Sequence, residues 1–228
     1  MERIVIIDNL RGIAFLFMVF QHVFYFYDVS THYKTSYSKN DMVDKSGLIA
    51  RTMFIILAGY SVYMAYNKDK KVNLKKRASR SLEILGHGLF LTAITYVLYP
   101  DNFIRFGILH FLALGTLLIS VLAPYKIATI IIFVLSIYSS NSFPRINPFI
   151  DTITGAQAPA SMMDWFPLNT WISVLLFGLI LGQNIDVSKL NIKFLEFDNV
   201  ITQIGKNSLN LYTSHVSLLI MAYFIISE

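Results

Sequence analysis

The stretch DNLRGIAFLFMVFQH, residues 8–22, places ionisable side chains at Asp8, Arg11 and His22 in a long apolar run. Eleven positions separate Arg11 from His22, and at about 100° per helical residue the two side chains return to within roughly 20° of one direction. A charge at the centre of a bilayer costs between about 2.5 and more than 10 kcal/mol. We therefore expect this face to point into a helix bundle, with Asp8 pairing with Arg11 one turn later.

The composition extends this pattern to the whole chain. Of 228 residues, 55% are hydrophobic and 14% are charged, whereas soluble domains carry about a quarter charged residues. A helix needs roughly 20 apolar residues to span a bilayer. Seven spans are predicted, at about 9–28, 48–66, 82–100, 104–123, 126–140, 168–185 and 208–227. We expect an all-α, polytopic integral membrane bundle that forms one transmembrane domain over residues 1–228.

The basic residues are concentrated between two of these spans. The run NKDKKVNLKKRASRS, residues 67–81, holds seven of the 19 lysines and arginines, in a chain of net charge +5. Cytoplasmic loops are enriched in Lys and Arg, so the bias predicts a cytoplasmic N-terminus and an external C-terminus. The sequence therefore predicts a multipass protein of the plasma membrane or an internal membrane. Topology explains the basic run better than phosphate-backbone binding, so nucleic acid is not expected as a partner.

Two kinds of chemistry are excluded or not indicated. The chain has no cysteine, so disulfides, thiolate catalysis and Cys-ligated zinc are excluded, and no metal site is predicted.

The first apolar block is long and aromatic, and no small-residue cleavage site follows it, so we interpret it as a retained span and not as a signal peptide.

Five of the glycines within the predicted spans are assigned to close packing of helices. Glycine lets two helix backbones approach closely inside a membrane, and this is the simplest interpretation of its presence there. The positions predicted to lie at helix–helix contacts are Gly59, Gly107, Gly115, Gly178 and Gly182.

Histidines inside the spans are the first candidates for chemistry, because the bilayer penalises ionisable residues without partners. Counted along each span, His22 and His110 lie about six residues inside the outer end, whereas His87 and His215 lie nearer the cytoplasmic end. Two polar layers are therefore expected. A neutral histidine can act as a general base or carry an acyl group as a nucleophile. The alternative to a chemical role is that a histidine only forms a hydrogen bond between helices. This alternative is strongest for His87 and His215.

The basic run also suits a phosphorylated ligand. Arg77 and Arg80 are i, i+3 neighbours that lead into the third span, with Lys76 beside them. Guanidinium groups bind phosphate in a bidentate way. An acyl-CoA fits this arrangement, with its phosphates held by these residues and Arg11 and its acyl arm inside the bundle. The run can equally be a topology signal alone.

Six segments resemble a known group of enzymes. DNLRGIAFLFMVFQH and five later segments are similar to segments of the transmembrane acyltransferases, and they occur in the same order as in that family. They resemble most the heparan-α-glucosaminide N-acetyltransferase family and its bacterial relatives, and more distantly the acyltransferase-3 family. The other five segments are ARTMFIILAGYSVYM (50–64), KKRASRSLEILG (75–86), FIRFGILHFLALGTLL (103–118), DWFPLNTWISVLLFGLILG (164–182) and GKNSLNLYTSH (205–215).

The resemblance implies roles for particular residues. Arg11 and His22 match an Arg-x10-His element, and Arg77 and Arg80 match an Arg-x-x-Arg pattern associated with acyl-CoA. In the human-type lysosomal enzyme the functional histidine lies a little after the first helix, and His32 falls within about one residue of that position. His22 and His32 therefore remain alternatives for the reacting residue.

The family also implies a reaction. A cytoplasmic acyl-CoA, acetyl-CoA above all, supplies an acetyl or short acyl group to an amine or hydroxyl of a sugar or glycoconjugate at the external or luminal face. His110 would assist. One rival hypothesis is a proton-coupled transporter or channel with a histidine relay, but the sequence does not show the repeated halves of many transporters. The other rival is a non-catalytic scaffold. The sequence leaves a homodimer open.

Overall fold

The protein is built from α-helices. The computed structural model describes residues 4–31, 35–139, 163–189 and 199–227. No strand occurs in these ranges, where the one isolated β-bridge joins Phe106 to Trp165, so the predicted all-α class is confirmed. Single 3-10 turns lie at Tyr37–Lys39 and Val187–Lys189. The α-helices are α1 (Val5–Ser30), α2 (Asp41–Asp69), α3 (Leu74–Leu98), α4 (Ile108–Ser120), α5 (Lys126–Ser139), α6 (Leu168–Asn184), α7 (Val200–Lys206) and α8 (Ser208–Ser227).

Four of these helices contain segments long and apolar enough to cross a membrane: Val5–Asp28, Asp41–Asp69, Leu74–Leu98 and Ser208–Ile225. The other three predicted spans coincide with shorter apolar helices, α4, α5 and α6. Thirteen to seventeen residues fall short of the roughly 20 that a perpendicular crossing needs. The protein is a multipass integral membrane protein, whereas seven spans and a cytoplasmic N-terminus stay predictions.

The chain divides into two compact units, and each is described by itself. The first contains Met1–Phe54 and Val187–Glu228, and the second contains Ile55–Asp186, with the division inside α2. The single domain over residues 1–228 therefore stays a prediction.

In the first unit, α7 and α1 touch through glycines. A Cβ added at Gly12 would overlap the Ile201 carbonyl oxygen, and one added at Gly205 would overlap the Asp8 carbonyl oxygen. Buried Thr202 donates its hydroxyl proton to Asn9 Oδ1 over 2.7 Å in the same contact. Small residues on both helices thus bring the start of α1 against α7 at backbone distance.

In the second unit, the second half of α2 and α6 also meet through glycines. A Cβ at Gly59 would overlap the Leu175 carbonyl oxygen, and one at Gly178 would overlap the Ile56 carbonyl oxygen. Gly178 and Gly182 form a small-xxx-small pair on α6. The predicted close-packing role of these glycines is confirmed.

The two remaining glycines differ from each other. A Cβ at Gly115 would lie 2.8 Å from Leu175 Cδ2, so this glycine lies at a contact of α4 with α6, as predicted. The prediction for Gly107 is wrong, because this residue precedes α4 and faces the Asp164 carboxylate. Asp164 Oδ2 accepts the backbone N–H of Ile108 at 3.0 Å and thereby satisfies a free donor at the start of α4.

Candidate active site

An ion pair lies at the start of α1. Arg11 Nη1 donates to Asp8 Oδ1 over 3.1 Å, and the Asp8 side chain is 2% exposed while that of Arg11 is 26% exposed. The predicted pairing of these residues is confirmed. Because Gly205 packs on the backbone of Asp8, the pair lies where α1 and α7 touch.

Two histidines meet further along α1. His22 Nδ1 lies 3.0 Å from His215 Nε2, although 193 positions separate the residues in the chain. The ring planes are 16° apart and the ring centroids 5.2 Å apart, so the hydrogen bond can run close to the plane of both rings. His215 Nδ1 lies 2.9 Å from the Leu211 carbonyl oxygen one turn earlier in α8. A continuous chain of hydrogen bonds therefore joins a backbone carbonyl to His22.

The predicted separation of His22 and His215 into two layers is wrong. Gly205 lies beside Asp8 and His215 lies beside Phe15 and His22, so the chain between Gly205 and His215 runs in the same direction as α1. Counting residues from the end of each span did not predict that His215 lies at the level of His22.

Aromatic rings surround the histidine pair. Phe15 meets His215 edge to face, with centroids 5.1 Å apart, and Tyr212 lies 5.6 Å from His215 and 6.3 Å from His22. Phe26 contacts His22 on the side of the next turn of α1, at 6.3 Å. Edge contacts of this kind stabilise particular ring orientations, so both imidazoles are held in place by packing as well as by hydrogen bonds.

His110 lies in the second unit, in the first turn of α4. Its Nε2 is 3.3 Å from Thr92 Oγ1, and Thr92 donates its own proton to the Ile104 carbonyl over 2.8 Å. The Thr92 oxygen therefore accepts from His110 Nε2, which leaves the lone pair on Nδ1. Nδ1 is buried against Gly88 and has no hydrogen-bond partner within the part of the chain that the structure describes. Assistance of His110 to His22 stays a prediction, since the two belong to different units.

The predicted donor-binding cations lie at the start of α3. Lys76, Arg77 and Arg80 occupy its first two turns, and i, i+3 and i+4 spacing places them on one side of the helix. Lys76 Nζ pairs with Asp69 at 3.1 Å, and Arg80 Nη1 pairs with Glu83 at 2.7 Å. Both cations are more than half exposed. The Arg80–Glu83 pair is exposed on both sides, and such pairs contribute about 0–1 kcal/mol, so a phosphate can replace Glu83 at small cost.

The pairing of Lys76 with Asp69 was missed from the sequence, because it depends on the turn between α2 and α3. Helix α2 ends at Asp69, Lys70 adopts the left-handed conformation with φ 54°, and Asn73 caps α3 by accepting the backbone N–H of Lys76. This tight connection brings residue 69 back beside residue 76.

A buried carboxylate lies at the far end of α1. Asp28 is 0% exposed and accepts hydrogen bonds from Thr35 Oγ1 at 2.7 Å, Tyr37 N at 2.9 Å and Ser38 N at 2.6 Å. Sequence reasoning gave this residue no role, although the nearby hydroxyl residues signal a hydrogen-bonded turn. His32, the alternative reacting residue, lies outside the described residues.

No group of three or more His, Asp and Glu side chains that could hold a metal ion occurs in residues 4–31, 35–139, 163–189 and 199–227. Within the first unit the structure pairs two imidazoles, and within the second it places three cations on the first two turns of α3. Their chemistry suits phosphate binding and proton or acyl transfer.

A protein-family model matches nearly the whole chain. The family model described as heparan-alpha-glucosaminide N-acetyltransferase, catalytic, matches residues 3–217. Comparison with curated proteins and with solved structures gives no match. The matched range covers both histidines of the pair, the ion pair at the start of α1 and the cations of α3, and it confirms the resemblance stated above. The chain therefore belongs to the heparan-α-glucosaminide N-acetyltransferase catalytic family and is a multipass membrane acetyltransferase.

Proposed function

We propose that this protein takes an acetyl or other short acyl group from cytoplasmic acyl-CoA and delivers it to an amine or hydroxyl of a sugar or glycoconjugate at the external or luminal face. Family membership supports the acetyl transfer. The observation that carries the assignment of the site is the 3.0 Å hydrogen bond between His22 and His215. It orients an imidazole on the face of α1 that also bears Arg11.

The cations of α3 bind the donor in this proposal. Lys76, Arg77 and Arg80 offer one ammonium and two guanidinium groups on adjacent turns, and guanidinium and phosphate form paired, charge-assisted hydrogen bonds. The ion pairs to Asp69 and Glu83 keep these side chains extended until the phosphates of acyl-CoA displace the carboxylates. Arg11, in the first unit, is the further cation that the sequence predicts for the donor, and its pairing with Asp8 fixes its position in that unit.

His22 performs the chemistry by one of two routes. As a general base, its imidazole removes a proton from the acceptor while the acceptor attacks the thioester carbonyl, and the proton then passes to the departing CoA thiolate. As an acyl carrier, the imidazole itself attacks the thioester, CoA leaves, and the acceptor takes the acyl group in a second step. His32 is the alternative residue for either route.

Transfer from labelled acetyl-CoA tests the proposal. His22→Ala, His32→Ala and the double variant are compared in membranes, with His87→Ala as the control for loss of a helix histidine outside the proposed site. Removal of a general base lowers the rate by about 10²–10⁴-fold, so one of the two single variants should lose activity on this scale. If both single variants kept full transfer, the mechanism would be wrong.

A second function is favoured by the same pair of histidines. Hydrogen-bonded histidines inside a bundle are also the parts of a proton relay in transporters. Substrate-driven proton flux into liposomes that contain the purified protein and no acyl-CoA would favour this function. A flux that appears only with acyl-CoA present would favour the transferase.

A further inference from the structure

We propose that His215 is a positioning residue that fixes the tautomer of His22, with the proton on Nδ1 and the lone pair on Nε2. The inference rests on the proposed function, in which His22 reacts. It names the His22 atom that faces the chemistry and gives His215 a role that neither the family match nor the sequence supplied.

The argument begins at the Leu211 carbonyl. A carbonyl oxygen can only accept, so at 2.9 Å from it His215 Nδ1 must carry a proton and donate. A neutral imidazole has one N–H, and His215 Nε2 is therefore an acceptor. The nitrogen 3.0 Å from it, His22 Nδ1, must then be the donor. The second nitrogen of His22, Nε2, is left with its lone pair.

Ring geometry agrees with this assignment. The two ring planes differ by 16°, so the His22 N–H can point along the in-plane lone pair of His215 Nε2. Phe15 and Tyr212 each meet His215 at 80°, which restrains rotation of its ring. His215 is thus fixed by packing and by its own helix backbone before it acts on His22.

The tautomer matters for both routes. Only an unprotonated ring nitrogen can take a proton from the acceptor or attack a thioester. When His22 Nε2 takes up a proton or an acyl group, the ring becomes positive and its Nδ1–H donates to His215 as a charge-assisted bond, which is about twice as strong as a neutral one. His215 therefore stabilises His22 more after the step than before it, as an orienting group in a catalytic site should.

Two substitutions separate the two hydrogen bonds of His215. The amide of Gln reaches the place of His Nε2, so His215→Gln can still accept from His22, but it loses the bond to Leu211 that makes this position an acceptor, and its amide can therefore also donate. The amide of Asn reaches the place of His Nδ1, so His215→Asn can still donate to Leu211 but cannot reach His22. Both variants remove the imidazole and keep a polar amide, and they serve as controls for each other.

The test combines ring-nitrogen NMR with kinetics on the full chain. In histidine-labelled protein, the His22 signals are assigned by their loss in His22→Ala, and 15N shifts report which ring nitrogen is protonated. We expect wild type to show Nδ1–H with bare Nε2, His215→Gln to show a mixture of the two tautomers because its amide can accept or donate, and His215→Asn to show proton density on Nε2. In acetyl transfer, kcat should fall at least about tenfold in His215→Asn, since a wrong tautomer is costly. His215→Gln should recover part of it, and KM for acetyl-CoA should be unchanged in both.

Protonated Nε2 in wild-type His22 would overturn the inference, as would equal kcat in the Gln and Asn variants. If His215→Asn does not fold, the wild-type spectrum alone decides. The NMR measurement needs no turnover, so it identifies the His22 tautomer even if the protein transfers no acyl group. Transfer that persists with Nε2 protonated would overturn the positioning role and leave the acetyltransferase proposal standing.

Discussion

His22 and His215 form a direct hydrogen bond of 3.0 Å between helices that lie at opposite ends of the chain. A residue that acts only through another has an effect that disappears when the other is removed. The pair therefore makes a quantitative prediction about combined substitutions.

We expect the double variant His22→Ala/His215→Asn to transfer acetyl groups no more slowly than His22→Ala alone. His22→Ala removes the reacting imidazole, and His215 then has nothing to orient. Rates from labelled acetyl-CoA in membranes, normalised to protein amount, measure this. Losses that multiply would mean that His215 acts independently of His22.

Gly178→Ala should lower the stability of the second unit, because the new methyl group would overlap the Ile56 carbonyl oxygen. Overpacking of this kind costs about 1–3 kcal/mol. Gly86→Ala is the matched control: it lies inside α3 with nothing within 4 Å of an added Cβ, and the same change in a helix interior should stabilise by about 0.5–1 kcal/mol. Thermal unfolding in detergent should thus shift in opposite directions. A Gly178→Ala protein as stable as wild type would contradict the close contact.

Acetyl-CoA and CoA should raise the unfolding temperature of wild-type protein and have little effect on Arg77→Ala/Arg80→Ala. A ligand at 100 times its Kd stabilises by about 2.7 kcal/mol, and removal of two guanidinium groups takes away the phosphate contacts. Arg105→Ala, which deletes an exposed guanidinium stacked on Phe103, controls for loss of charge. Stabilisation that is equal in all three proteins would place the donor elsewhere.

Asp28→Asn should destabilise the first unit by about 1–3 kcal/mol, the range for leaving buried polar groups unpaired. The carboxylate accepts two backbone N–H groups and one hydroxyl, and an amide NH2 would oppose one of these donors. Asp41→Asn removes an exposed partner of Lys45 and should cost less than about 1 kcal/mol. Urea titration of both variants measures the difference. If Asp28→Asn and Asp41→Asn lowered the free energy of unfolding equally, the hydrogen bonds of the buried Asp28 carboxylate would not stabilise the first unit as expected.

The sequence predicted what depends on helix periodicity. Asp8 and Arg11 pair because they are three residues apart on one helix, and Gly178 and Gly182 lie at a contact because small residues four apart form a groove. These relationships need no knowledge of the neighbouring chain.

The sequence did not predict what depends on where one helix begins beside another. His215 meets His22 at 3.0 Å, a contact that depends on how α8 lies beside α1. The partners of Asp28 are mainly backbone N–H groups of a turn, and the nearby hydroxyl residues indicate a turn without showing which side chain its N–H groups bind. Depth counting along separate spans contains neither kind of information.

The Leu211 carbonyl that orients His215 belongs to the main chain, and every residue of a helix has such a group. A serine-protease-type triad needs a third side chain for this task and can lose it by one mutation. Here position 211 can change its side chain freely without losing the acceptor. A designer who wishes to copy the arrangement onto two neighbouring helices therefore has only two histidines to place.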